Sequence, residues 1–146
     1  MSTLTCLTQV AAAVEPVSVV FKAKGSFEEV RDMLQASIEG KGLKINHVNH
    51  IASMLARTGQ DLGETTMPIV AGEQFEFCSA MLSRQMMAAD PNAITLCPYA
   101  ISVYMVPGDP VVYMAYRKMP TTKKPVLKKS FKAVERLLTE IIQEAQ

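Results

Sequence analysis

The chain has no tryptophan, and aromatic residues make up only 6% of it. A core built from this sequence has to be filled with aliphatic and methionine side chains, of which the ten methionines are a conspicuous part. There are three cysteines, Cys6, Cys78 and Cys97, an odd number with no C-x-x-C spacing. That argues against a disulfide framework and against a structural zinc site. No run approaches the roughly 18 apolar residues that a membrane span needs. No Lys or Arg precedes Lys22, so the basic start of a secretory signal is missing and a cytoplasmic protein is expected. The formal charge of +1 gives no general attraction to nucleic acid or to an acidic lipid surface. Glycine-rich phosphate loops, G-x-S-x-G elbows, H-E-x-x-H pairs and acidic calcium loops are all missing. No pair of carboxylates is placed for acid–base work, so the reading leans away from an enzyme.

What is present describes one folded unit. The 146 residues are 49% hydrophobic and 20% charged, which suits a single globular domain large enough to bury its own core. Residues 1–16 read as a flexible leader, 17–118 as the core domain, and 119–146 as a linker followed by an amphipathic helix.

Along the chain, Val17 to Ala23 is β-branched and reads as a strand. Ser26 and Glu29 form an S-x-x-E capping box ahead of Phe27, Val30, Leu34 and Ile38 at helical spacing, and Gly40 and Gly42 close that helix. Leu43 to Val48 alternates as a second strand. Asn49 then caps a short helix from His50 to Thr58, and Gln60 to Gly72 is a loop. Gln74 to Cys78 is a strand, and Ser79 caps a helix from Ala80 to Ala89 that Asp90 and Pro91 end. Ala100 to Val106 and Val111 to Arg117 are strands joined through Pro107-Gly108-Asp109-Pro110, a turn too tight for a parallel pair. Thr121 to Lys129 is a lysine-bearing linker before a helix from Phe131 to Glu144. The expected fold is α+β, a largely antiparallel curved sheet with helices packed on one face.

Four stretches together carry a resemblance: the helix Phe27 to Gly42, His50-Ile51-Ala52, Phe75-Glu76-Phe77-Cys78, and Ala89-Asp90-Pro91 leading to Leu96-Cys97-Pro98-Tyr99. Over roughly residues 17–118 the chain resembles the bacterial domain-of-unknown-function family 302. The resemblance implies a TATA-binding-protein-like or helix-grip fold and a homodimer. It matches His50 to the family's histidine after the second strand, Phe77-Cys78 to a strand end, and Pro98 to the proline before the hairpin. This chain departs from the pattern in having Cys78-Ser79 where a Gly-Asn-Pro turn is commoner. It also departs in its C-terminal helix.

Cys78 is the sharpest chemical candidate. At a strand end just before the Ser79 cap, the helix N-terminus would favour its thiolate. Set against this is the inert buried cysteine at a tight junction. Cys97 precedes Pro98, which keeps the chain extended there. The two thiols are expected at one rim of the sheet, as a redox pair, a soft-metal site or a coincidence. His47 and His50 cannot chelate one ion from a strand, because positions three apart face opposite ways. His50 alone, at a helix start, has its neutral form favoured. Met81, Met86 and Met87 read as core packing, and Lys123, Lys124, Lys128 and Lys129 as a solvated run without the aromatics that nucleic-acid binding would want. Alternation puts Tyr99 and Tyr104 on opposite faces, and likewise Tyr113 and Tyr116.

The functional expectation is a non-enzymatic small-ligand-binding or accessory protein, homodimeric, without membrane or nucleic-acid partners. The ligand cleft is expected at a rim formed by His50, Cys78 and Cys97 with Tyr99 nearby, and no cofactor is required. The alternative is a thiol or haem/metal redox protein using Cys78 and His50.

Overall fold

The computed structural model describes residues 16–146. Cys6 and the leader up to residue 15 lie outside them. Five strands, β1 (Ser18–Ala23), β2 (Ile45–Asn49), β3 (Ala71–Phe77), β4 (Tyr99–Met105) and β5 (Val112–Arg117), form one sheet in the order β1-β5-β4-β3-β2. Every neighbouring pair is antiparallel. The helices are α1 (Phe27–Gly40), α2 (Ile51–Leu62), α3 (Ala80–Ala89) and α4 (Pro125–Glu144), with a short 3-10 turn over Pro91–Leu96. The expected α+β class is the observed one.

Local chemistry explains most boundaries. The Ser26 hydroxyl accepts from the Glu29 amide at 3.2 Å, and Glu29 Oε2 accepts from the Ser26 amide at 2.8 Å. This reciprocal cap starts α1. At α3 the Ser79 hydroxyl accepts from the Leu82 amide. In the β4–β5 turn, Asp109 accepts from the Val111 amide at 2.9 Å and from the Tyr113 hydroxyl at 2.6 Å.

Four boundaries differ from the sequence reading, each for a physical reason. α2 is capped by His50 and not by Asn49, because the Asn49 side chain is drawn across the sheet to donate to Glu76 at 2.7 Å. It continues through Gly59 to Gly63, whose φ of 71° supplies the left-handed end. β3 begins at Ala71, with Gly72 buried inside the sheet. α4 begins at Pro125, since proline fits the first helical position, where no amide hydrogen bond is lost.

The core lies between one face of the sheet and α1, α3 and α4. Phe75, Ile101, Val103 and Met114 from the strands meet Leu34, Ile38, Met86, Val134, Ile141 and Ile142 from the helices, all at 0–1% exposure. Each such side chain contributes about 1.5–3 kcal/mol of burial. α4 therefore belongs to the same core as the sheet. Its last turn is tied to α1 by the buried Ser37 hydroxyl, which donates to the Ile141 carbonyl at 2.8 Å. That carbonyl is one of the four that a helix end leaves without an internal partner.

The second face is different. α2, none of whose residues is fully buried, lies at the Gly72 end, where Ala52 comes within 3.9 Å of a Cβ placed on that glycine. Toward the other end this face carries small and polar side chains, among them Glu76, Ala100, Ser102 and Ala115. The expected division of the tyrosines holds: Tyr99 and Tyr116 point into the core, while Tyr104 and Tyr113 stack at 5.5 Å on the second face.

Candidate functional site

The end of the sheet where β3 leaves and β4 enters is the most chemically crowded part of the fold. Phe77 pairs with Tyr99 as the last rung, so that Cys78, just past the end of β3, and Cys97, just ahead of β4, both lie beyond it, and a cis Cys97–Pro98 peptide leads into β4. From α3, the Ser83 hydroxyl stands 3.2 Å from Cys97 Sγ and 3.0 Å from the Tyr99 hydroxyl. The Tyr99 ring is edge-on to Phe77 with 6.3 Å between centroids. Burial pushes the Tyr99 phenol up to about 12; the Ser83 hydrogen bond opposes this, and the nearby thiols add to it.

Three of the four expected rim residues, Cys78, Cys97 and Tyr99, are thus brought together. Burial pushes the Cys78 thiol up, its neighbour Cys97 pushes it further, and the Tyr99 amide works the other way. The direction is opposite to the thiolate expected from the start of α3. The half-buried sulfur loses more by desolvation than the helix end returns.

His50 is not part of this cluster. Its side chain is 64% exposed, and its Nδ1 lies 3.4 Å from Glu73, which also faces Arg31 of α1 at 3.9 Å. Glu73 and Cys78 are separated along β3 by roughly 16 Å at ~3.3 Å per residue. Cys78 and His50 therefore do not share a redox or haem site, which corrects the geometry that the alternative reading required. His47 lies exposed on the outermost strand, paired with Glu76. Among the described residues no group of three or more His, Cys, Asp or Glu side chains is placed to hold a metal ion.

Next to the thiols, at this end of the sheet, is a cleft of about 380 Å³ that is lined by second-face residues of β3, β4 and β5 and, from the core side, by Tyr116 and Leu138. Cys97, Pro98 and the 3-10 turn residues Thr95 and Leu96 form one side, and Lys118 and Met119 another. Its floor is read directly from strand register. Glu76 pairs with Ala100, Arg117 follows Tyr116, the partner of Ile101, and Ser18 pairs with Arg117. One row across the sheet is thus Glu76, Ala100, Arg117, Ser18, and the next is Gln74, Ser102, Ala115, all of them cleft residues. Asn49 holds Glu76 at 2.7 Å, and Gln74 donates to the Ser102 hydroxyl at 3.2 Å. Cys97 borders the cleft directly. Tyr99 is only 2% exposed, with its ring on the core side, so it borders the cleft without offering it a polar group.

Glu76, Arg117, Gln74 and Ser102 were not singled out from the sequence. The signal was present as alternation: in β3 and β4, polar or small residues at 74, 76, 100 and 102 interleave with apolar ones. Only the pairing of three strands turns that alternation into a row.

No curated protein matches the chain significantly. Among solved structures it is similar to the crystal structure of an uncharacterized conserved DUF302 protein from Bacillus stearothermophilus. The two share 16% sequence identity and a TM-score of 0.73, over 89% of this chain and 98% of that one. At that identity the likeness concerns the fold. No helix among the described residues is long and apolar enough to cross a membrane. The sequence profile of DUF302, described as a domain of unknown function, matches residues 19–145, from β1 through α4, and the chain belongs to that family.

Proposed function

We propose that the protein is a non-catalytic binding protein for a small polar ligand, held in the cleft at the Cys97–Tyr99 end of the sheet. The observation that supports this is the floor of the cleft. Small side chains, Ala100 and Ser102, leave open ground between groups of opposite charge, Glu76 and Arg117. Natural ligand sites combine a formed concavity of roughly 300–1,000 Å³ with a few placed polar groups, and this cleft is at the small end of that range. The raised thiol of Cys78 and the raised phenol of Tyr99 support a packed back wall in place of a reactive centre.

Two further parts belong to the same proposal. A homodimer is supported by β1, an edge strand whose flank exposes Val17 at 73% and Val20 at 50%; a second copy pairing there would cover both. A reducing, cytoplasmic setting is supported by Cys78 and Cys97, adjacent thiols that are both free.

The test is thermal unfolding of the wild type and of Ala100→Phe, which fills the cleft floor without entering the core, against a panel of small polar metabolites. Binding to the folded state raises the midpoint. At least one compound stabilises the wild type and not Ala100→Phe. A panel with no stabilising member, or stabilisation equal in both proteins, rejects the proposal.

A further inference from the structure

The two charged residues on the cleft floor narrow the ligand class. Glu76 and Arg117 stand on β3 and β5 with β4 between them, so their Cα atoms are about 10 Å apart at ~4.8 Å per strand spacing. Alanine occupies the position between them. Side chains of this length on one face could meet over an alanine, yet they do not: neither takes part in any ion pair among the described residues. Glu76 is instead held back by Asn49 Nδ2 on Oε1, which leaves its other oxygen for a donor above Ala100. Arg117 and Lys118, both exposed, put two cations on the opposite side of the same cleft.

Resting on the small-ligand reading above, we infer that the ligand is a small zwitterion of the amino-acid type, its ammonium group on Glu76 and its carboxylate on Arg117. The planar guanidinium donates two parallel hydrogen bonds to a carboxylate, and Lys118 adds a second positive charge beside it. Ser102 and Gln74 supply a hydroxyl and an amide in the next row for a polar substituent. The arrangement also discriminates. A dianion would set its second negative charge against Glu76, and a simple amine would leave Arg117 without a partner. The stacked Tyr104–Tyr113 pair lies outside the cleft lining, so the floor offers no aromatic platform for a nucleobase.

The experiment is isothermal titration of the full chain with the common α-amino acids and with β-alanine and γ-aminobutyrate. For every binder, the corresponding deaminated acid and decarboxylated amine are titrated as well. The inference expects at least one amino acid to bind, with each half-molecule at least tenfold weaker. Glu76→Gln should weaken the amino acid at least tenfold and leave the deaminated acid unchanged, while Arg117→Gln should abolish both. Both variants change exposed or half-exposed groups, and unaltered thermal unfolding without ligand checks that they fold. An amino acid that binds no better than its deaminated acid, or an unaffected Glu76→Gln, overturns the inference. If only compounds of another class bind, and Ala100→Phe removes that binding, the zwitterion falls while the small-ligand reading stands. If nothing binds, both fall.

Discussion

The Ser83 hydroxyl lies 3.0 Å from the Tyr99 hydroxyl, a contact that ties the first turns of α3 to the first residue of β4. It gives a buried phenol a polar partner beside the cleft. Because the same hydroxyl also reaches Cys97, the back wall of the cleft is a continuous hydrogen-bonded unit.

Tyr99 makes the fold sensitive to alkali. From its ordinary value of 10.0 the phenol is pushed up to about 12 by burial. Below the lower value it is protonated in both folded and unfolded chains. Between the two the unfolded chain gives up the proton first, so the folded chain binds more protons and stability falls as pH rises. Urea unfolding should therefore show Tyr99→Phe losing less stability than the wild type between pH about 9.5 and about 11.5. At neutral pH the variant should lose about 1 kcal/mol, the worth of one hydrogen bond.

Cys78 should react slowly. Burial and the adjacent Cys97 raise its thiol, and the thiolate is the nucleophile. Alkylation by iodoacetamide, followed by peptide mass spectrometry to separate the three cysteines, should label Cys78 more slowly than a free peptide thiol at neutral pH. The rate should climb as pH passes 9. Labelling at or above the free-thiol rate near pH 7 would restore the redox reading.

α4 should be indispensable to folding. Ile141→Ala removes a side chain at 0% exposure and should cost about 2–5 kcal/mol in denaturant unfolding. Ser37→Ala leaves the Ile141 carbonyl without the donor now at 2.8 Å and should cost about 1–3 kcal/mol. The two residues touch, so the double variant should fall short of the sum.

Gly25 occupies a backbone conformation with φ of 113°, and a Cβ there would come within 3.0 Å of Glu29 Oε2, the oxygen that caps α1. Gly25→Ala should lower stability by roughly 1–2 kcal/mol through strain and a weakened cap, read as a lower urea midpoint with an unchanged slope.

How far the sequence discloses this protein depends on the range of the interaction involved. The capping box at Ser26 and Glu29, the Ser79 cap and the opposite-facing tyrosines were legible because they are settled within a few residues. The start of α2 was not, because Asn49 is claimed by Glu76 from another strand. Gly72 looked like a loop residue, and only the approach of Ile69, whose Cγ2 would stand 2.8 Å from an added Cβ, shows why a glycine stands inside β3. Pro125 suggested a linker until its place at the first position of α4 was known. At the site, the meeting of Cys78, Cys97 and Tyr99 follows from their standing at the last rung between β3 and β4. His50 fails to join them because strand length, which no motif reveals, sets it at the far end of β3. The row from Glu76 to Ser18 needs four strands in register, and no local pattern carries that information.

The central question is whether the ground between Glu76 and Arg117 holds a molecule. The most direct measurement is native mass spectrometry of the wild type and of Ala100→Phe, each mixed with the small-metabolite panel under identical conditions. The wild type should carry an added small-molecule mass that is missing from Ala100→Phe. An adduct that survives the phenylalanine, or a wild type that takes up none of the panel, would contradict the proposed binding.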